Sequence, residues 1–323
     1  MADGAIADLS FALQTAEGAA AASATYRCFL AGGTIGPARD VGLLSTQSTV
    51  GFPTRASYAE RYVAGEFEIF ARPEPIGLLA YAALGAKAVS GAGPYTHTFT
   101  AAATRPWLTF WRMVGNGLLI EQFVDCRVSK LRIVSQTGGI VRCIVTVLGK
   151  QAKRRTSNQV TAITVTDPFL HAHGSGLLTV DGAAIAGIRE IDVEIDNGDR
   201  ARPGGLGQGW DIVGGMVRSA TIRTTQKIIS TARYDLFHYG STSPADGTVQ
   251  AVDPATAAAD FIWRLSASRE LHVDSAALTP SSFAGYEPNV SHDPMVEART
   301  YSVRDGGATS AVRIRLINGV ASY

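Results

Sequence analysis

Ten segments of this 323-residue chain alternate apolar and polar side chains with a period of two, and that pattern narrows the fold more than any other feature. Successive side chains of a strand point to opposite faces, so such segments bury one face and wet the other. They are Ala64–Ala71, Tyr95–Thr100, Trp107–Val114, Cys126–Ser135, Ile140–Leu148, Leu177–Asp181, Gly187–Asp196, Met216–Thr225, Glu297–Arg304 and Ala311–Ile317. A mainly-β protein with short flanking helices is expected. Pro73-Glu74-Pro75 opens a helix over Ile76–Leu84, and Gly85 stops it. Ile229–Tyr239, ahead of Gly240, reads as a second helix. Asp253-Pro254 reads as an N-cap and first helical position before the alanine run 255–259. The Ala-rich opening to about residue 24 is weakly periodic, and no structure is assigned to it.

The polar, basic, turn-rich stretch 151–175 reads as a linker. It divides the chain into an N-terminal segment (1–45), a first unit (46–150) and a second unit (176–323). The two units read as a diverged tandem repeat. Val63–Ile69 leads into the helix ending Leu84-Gly85, then come Val128–Ile133, a Gly138-Gly139 turn and Val141–Gly149. In the second unit Gly214–Ile222 leads to Leu236–Gly240, then come Val296–Ser302, a Gly306-Gly307 turn and Val312–Gly319.

Charge and cysteines remove several functions. A net charge of +1, from 29 Lys+Arg and 28 Asp+Glu, argues against a dedicated nucleic-acid binder. Arginine outnumbers lysine 24 to 5, which suits a protein that buries surface against partners. Cys28, Cys126 and Cys143 are scattered and odd in number, so they form no disulfide framework or Cys-x-x-Cys clip. Apolar runs such as 78–86 fall short of the roughly 20 residues that span a bilayer. No basic-then-apolar leader is visible, so a soluble protein made in the cytoplasm is expected.

The segment Arg189–Asp196 is the most informative for function. On a strand, Glu190, Asp192, Glu194 and Asp196 share one face while Ile191, Val193 and Ile195 take the other. Carboxylates about 6.6 Å apart repel each other, so that face must be wet, metal-bound or opposed by arginines. A shorter version occurs at Glu66 and Glu68, opposite Phe67 and Ile69. One reading is a solvated or cross-strand-paired face; the other is the wall of an aqueous channel that passes a polyanion without adhesion. Asp192-x-Glu194-x-Asp196 brushes against a calcium loop, but Asn197 stands where glycine is required and Pro203 where a glutamate is. His171 and His173 lack accompanying ligands and read as a solvated pair, and His97, His238, His272 and His292 stand alone. Gly32-Gly33-x-x-Gly36 and Gly204–Gly209 match no nucleotide fingerprint, and no G-x-S-x-G elbow occurs. No catalytic residue, metal site or cofactor is expected. The basic run Lys150, Lys153, Arg154 and Arg155 reads as a solvated linker or a contact for an acidic neighbour.

Thr49–Thr54, Val63–Leu79 with Leu84-Gly85, Tyr95–Phe99, Val128–Ile133, Ile188–Asn197 and Val213–Arg218 together resemble the major tail tube proteins of long-tailed, siphovirus-like bacteriophages. The likeness covers about residues 45–320. It implies tail-tube β-sandwich or barrel modules whose sheets join across subunits into a closed barrel. It further implies rings stacked head to tail into a hollow tube that conducts DNA out of the capsid. Glu66, Glu68, Glu190, Asp192, Glu194 and Asp196 would then line the lumen. The partners implied are further copies of the chain, a tape measure protein, tail terminator and tip proteins, and double-stranded DNA in transit, without membrane insertion. The chain would reside in the virion tail after synthesis in the bacterial cytoplasm. Rings of this family contain six tube modules, so two modules per chain would close a ring with three chains and pseudo-sixfold symmetry; a homohexamer is the alternative. A competing reading is a β-sandwich tail module that binds a receptor or carbohydrate. Against it, Trp107, Trp111, Trp210 and Trp263 sit in strand- or helix-like context rather than on loops.

Overall fold

The computed structural model describes residues 7–44, 55–115, 117–160, 163, 168–170, 178–180, 183–184, 187–203, 210–214, 217–227, 232–241, 243–251, 257–284, 296–303 and 311–323. The chain opens with β1 (Ala7–Leu13), β2 (Tyr26–Leu44) and β3 (Arg55–Phe70), followed by α1 (Pro73–Leu84). Strands β4 (Gly85–Ser90), β5 (Tyr95–Ala101), β6 (Leu108–Val114), β7 (Leu119–Gln136) and β8 (Arg142–Arg154) complete the first half. The second half holds β9 (Leu178–Val180), β10 (Ala183–Ala184), β11 (Ile188–Asp196), β12 (Arg200–Pro203), β13 (Trp210–Val213) and β14 (Ser219–Lys227). It ends with α2 (Ala232–Tyr239), β15 (Ala257–Ser266), β16 (Arg269–Ala284), β17 (Val296–Val303) and β18 (Arg313–Asn318). The fold is mainly β.

Each alternating segment of the sequence coincides with a strand, and both expected helices that fall on described residues are helical. Helix α1 begins on Pro73 and ends where Gly85, at φ 105°, donates its N–H to the Tyr81 carbonyl. Three expectations need correction. The opening stretch to about residue 24, given no structure, supplies β1, and β2 follows it. The end of the alanine run is not helical, because Ala257 begins β15. There Ala259, Phe261 and Trp263 are buried at period two, and that burial outweighs alanine's helical preference. Lastly, β18 does not pair with β17. Both edges of β17 are occupied by β14 and β16, so β18 pairs instead with β16 and β5. Gly306 and Gly307 lie outside the described residues.

Of the 151–175 stretch, Gln151–Arg154 continue β8, while Val160 and Leu170 are fully buried. Val160 packs with Ala12, Trp111, Met113 and Ile120 in a small cluster of its own. Leu170 bridges strands, donating its N–H to the Ala71 carbonyl and accepting from Val141 N–H.

Strand pairing repeats itself along the chain. In the first half β1 pairs β6, β6 pairs β7, β7 pairs β8, β8 pairs β3 and β3 pairs β2, all antiparallel. In the second half β9 pairs β15, β15 pairs β16, β16 pairs β17, β17 pairs β14 and β14 pairs β11. Irregularities repeat as well. Register shifts at Leu30/Gly32, Leu108/Phe110 and Val128/Lys130 in the first set recur at Ile188/Glu190, Ala257/Ala259 and Pro280/Ser282 in the second. Bulges thus recur at matched places in three of the five matched pairings, while those at Arg39/Val41 and Arg264/Ser266 have no counterpart. In this order of pairings β17 takes the place of β8 and β16 that of β7, whereas the sequence pattern sets Val296–Ser302 beside Val128–Ile133.

Two pairings join the halves. β7 pairs β11 across the middle of the chain, and β5 pairs β18. As a result β2-β3-β8-β7-β11-β14-β17-β16 form an unbroken run of eight antiparallel neighbours. The β2–β3 approach requires glycine: a Cβ at Gly33 would stand 2.2 Å from the Glu66 carbonyl oxygen, and one at Gly65 2.3 Å from that of Thr34.

The larger apolar core lies behind the sheet and includes Phe11, Phe67, Phe110, Phe123, Val193 and Phe261 together with the buried face of α1. Tyr323 locks α1 to it. Its hydroxyl donates to the Pro73 carbonyl at 3.2 Å and accepts from Asn318, whose amide also donates to Pro73 O. Its ring packs edge-on to His97 and Phe99. Gly77 makes room for the ring, since a Cβ there would lie 2.2 Å from it. Burial pushes the His97 imidazole below its ordinary pKa. Gly77→Ala is therefore expected to expel the ring and cost about 1–3 kcal/mol. In a Tyr323→Ala background the same substitution should cost far less. Denaturant titration of the four chains of that cycle measures the difference, and equal costs in both backgrounds would refute the packing.

Candidate functional site

The two acidic segments of the sequence lie on one face of the eight-stranded run. Directly opposed residues of antiparallel strands share a face. One such row reads Thr34, Glu66, Thr146, Lys130, Asp196 and Ser219 across β2, β3, β8, β7, β11 and β14. The next reads Gly32, Glu68, Ile144, Arg132, Glu194 and Thr221. In a third row Asp192 stands between Val134 and Arg223, and in a fourth Glu190 stands between Gln136 and Thr225. The other side chains of β11, Ile191, Val193 and Ile195, are buried on the far side. Alternation along one strand thus gives a charged face and a core face.

Bases on the neighbouring strands oppose the acids. Arg132 grips Asp192 with two bonds of 2.8 Å, and Arg223 reaches the same carboxylate at 3.2 Å. Lys130 lies 3.2 Å from both Glu194 and Asp196, and Arg223 lies 3.8 Å from Glu194. On the first-half strands Arg142 pairs with Glu68 at 3.1 Å, and the Thr146 hydroxyl donates to Glu66 at 3.1 Å. Of the two physical readings of the ladder, charge pairing across strands is therefore realised. Within these four rows six carboxylates stand among four bases, Lys130, Arg132, Arg142 and Arg223.

Burial alone would raise the Asp192 pKa, but the bonds and charges of Arg132 and Arg223 outweigh it and hold the carboxyl below the usual range. For Lys130 burial acts downward, and its bonds to Glu194 and Asp196 carry it above its ordinary value. Arg132 is likewise raised, chiefly by its hydrogen bonds to Asp192. A base held in this way by an adjacent carboxylate has little left to offer a phosphate.

None of these four bases was singled out from the sequence. Lys130 and Arg132 occupy alternate positions of one strand and Arg223 sits mid-strand on another, so each was visible as an outward residue. What the sequence lacks is the register that sets them opposite particular acids.

Beside this face, β2 and β3 run on as a two-stranded ribbon. β1 leaves β2 at Phe29 and β8 leaves β3 at Val63, yet β2 and β3 stay paired to Leu44 and Arg55. Over 39–44 the ribbon extends about 20 Å with no flanking strand among the described residues.

The other candidates are not gathered here. His171 and His173 lie outside the described residues. Lys150 pairs with Glu17 and Asp211, and Arg154 and Arg155 donate to the Leu118 carbonyl and to Gln122. His272 is held between Glu270 at 2.8 Å and Asp260 at 3.4 Å on β16 and β15. Among the described residues no group of three or more His, Cys, Asp or Glu side chains is arranged to hold a metal ion. Among those residues, too, no helix is long and apolar enough to cross a membrane. Trp111 and Trp263 are buried, and Trp107 lies under the Arg127 guanidinium at 3.9 Å.

Compared with known proteins, residues 4–300 match the model of a family described as phage tail tube protein. No curated protein matches the chain.

A carboxylate whose pKa is depressed by folding adds stability above its unfolded value of about 3.9, and that contribution disappears as pH falls through the folded value. Acid titration of the intact chain should therefore show stability falling below about pH 4. Asp192→Asn should flatten that fall and reduce stability at neutral pH. Arg132 is partly solvated, so its coupling to Asp192 should come to about 1 kcal/mol in a double-mutant cycle. An unchanged acid limb would contradict the pairing.

Proposed function

Because the chain belongs to the phage tail tube protein family, where it is a structural component of the virion tail, we propose that it assembles into stacked rings whose bore conducts DNA. The observation that carries this reading is the gathering of Glu66, Glu68, Glu190, Asp192, Glu194 and Asp196 on one face of a single eight-stranded sheet. That face lines the bore. Duplex DNA carries about one negative charge per 1.7 Å of axis. Salt screens beyond about 8 Å, so only wall residues act on it, and the chain's net charge has no bearing. The wall has no free cluster of bases with which to hold phosphate. Lys130, Arg132, Arg142 and Arg223 are all engaged by acids. The duplex is repelled weakly and slides, with no chemistry required.

The chain carries two tandem tube modules, 46–150 and 176–323 about the 151–175 connector, with β1 and β2 completing the first. Three chains close a ring. Three runs of eight strands make a wall about 115 Å around at about 4.8 Å per strand, or about 37 Å across between backbones before tilt widens it. The β2–β3 ribbon, marginal as an isolated hairpin, lies against the next ring and so gains the packing it lacks in one subunit. A head-to-tail contact of this kind repeats without closing, as a tube requires. Tape measure, terminator and tip proteins bound the tube's length and ends. Synthesis takes place in the host cytoplasm. The reading as a sugar- or receptor-binding module has less support, since Trp111 and Trp263 serve the core.

Glu66 and Glu190 are the acids of the face to reverse, because neither makes an ion pair with its neighbours on the sheet. Glu66→Lys/Glu190→Lys should still yield tubes by electron microscopy, while DNA ejection from tails built with it slows at least several-fold. Normal ejection from such tails would show that this face does not meet the DNA.

A further inference from the structure

We propose that the joint between neighbouring chains in the ring copies the joint between the two halves of one chain: the free edge of β16 pairs with the free edge of β2 of a second copy. The inference rests on the tube reading above and deepens it by naming the strands and the register.

Inside the chain, β6 accompanies β7 only as far as Cys126, paired with Leu108. Beyond that point the same edge of β7 takes up β11, from Lys130 opposite Asp196 to Gln136 opposite Glu190. The repeated pairings make β16 the counterpart of β7, and β2 the counterpart of β11. β15 accompanies β16 as far as Leu278, paired with Ala257. Past Leu278 that edge of β16 has no strand partner among the described residues, although its other edge continues against β17 to Ala284. β2 shows the complementary opening. β1 covers it only to Phe29, and beyond this no strand pairs with that edge among the described residues. The guanidinium of Arg112 lies against the opening instead, donating to the Ile35 carbonyl at 2.6 Å. One chain therefore presents both halves of a joint that it has already made once internally, and long open edges are what sheet proteins must pair or cover.

The matched register shifts fix the alignment. Val128/Lys130 corresponds to Pro280/Ser282, and Leu30/Gly32 to Ile188/Glu190. Carrying the internal joint over places position 282 opposite Ala38, position 283 opposite Pro37, and position 284 opposite Gly36 of the next chain. The bonding phase carries over too. Asn197 N–H donates to the Ser129 carbonyl and Thr137 N–H to that of Arg189, so odd-numbered residues of β11 bond to β7. Position 282 and Ala38 then form a non-hydrogen-bonded pair, with Cα atoms about 4.5 Å apart, inside the range a disulfide can bridge. Pro37 falls on a bonded position and has no N–H to give. The acids and bases of the internal joint are also replaced: Gly36 and Ala38 stand for Glu194 and Asp196, and Ser282 and Ala284 for Lys130 and Arg132. The joint between chains thus lacks ion pairs and one backbone bond, which makes it the weaker of the two and insensitive to salt.

The test is Ala38→Cys/Ser282→Cys in the full chain, assembled and mildly oxidised, then run on a non-reducing denaturing gel. Native Cys28, Cys126 and Cys143 are buried. Covalent multimers at least about ten-fold above either single variant, with a yield unchanged by salt, are expected. Ala38→Cys/Thr300→Cys, which moves one thiol a strand further away, should give none. If that double variant fails to assemble, Gly36→Cys/Ala284→Cys probes the next non-bonded pair in the same register. Rings or tubes that form with no cross-link from either pair overturn the proposed joint and leave the tube reading standing. Failure of the unaltered chain to form any ring or tube overturns the tube reading itself.

Discussion

Backbone hydrogen bonding across the middle of the chain, between β7 and β11, is the interaction on which the rest of the structure depends. Each half builds five matching antiparallel pairings; β7 keeps an open edge beyond its shorter neighbour β6, and β11 an edge that no strand of its own half covers among the described residues. Those edges meet in register at the centre, so two units become one sheet with one core behind it. An unpaired row of N–H and C=O groups invites association with another chain, and the same pairing rule that fuses the halves is available at the two ends of the run.

Charge on this sheet is best understood as a consequence of pairing. A ladder of four carboxylates on β11 would oppose its own folding if its neighbours were neutral. With Lys130 and Arg132 on one side and Arg223 on the other, the ladder instead reinforces the joint between the halves. The same arrangement keeps the cations from binding anything else. A mixed face also avoids the repulsion that a uniformly acidic one would build into the subunit.

Much of the fold was legible in the sequence because period-two alternation is a local signal. It located ten of the strands from Ala64 onward and, at Arg189–Asp196, separated the wet face from the core, but it left β4, β10, β12, β13, β15 and β16 unassigned. Where alternation is broken, it failed. β2 holds Gly32, Gly33, Gly36 and Pro37, which break the alternation, yet the close approach of β2 to β3 needs one of those glycines, Gly33. β15 was masked by alanines that favour helix in isolation, until Phe261 and Trp263 are seen to bury at alternate positions. The acids of the candidate site were visible, but their partners were not, because register between strands some 60 residues apart in sequence is set by the whole sheet. The recurring order of strand pairings has an outline in the sequence. Its later strands were matched one place out, since few side chains are shared and the bulges that align the units leave no mark in composition.

An averaged density map of the assembled particle, viewed down its axis, tests the central claim most directly. The account predicts three chains per ring, a continuous wall of strands, and Glu66, Glu190 and their neighbours facing the hollow. Six complete chains around the axis, or a hollow lined by the opposite face of this sheet, would contradict it.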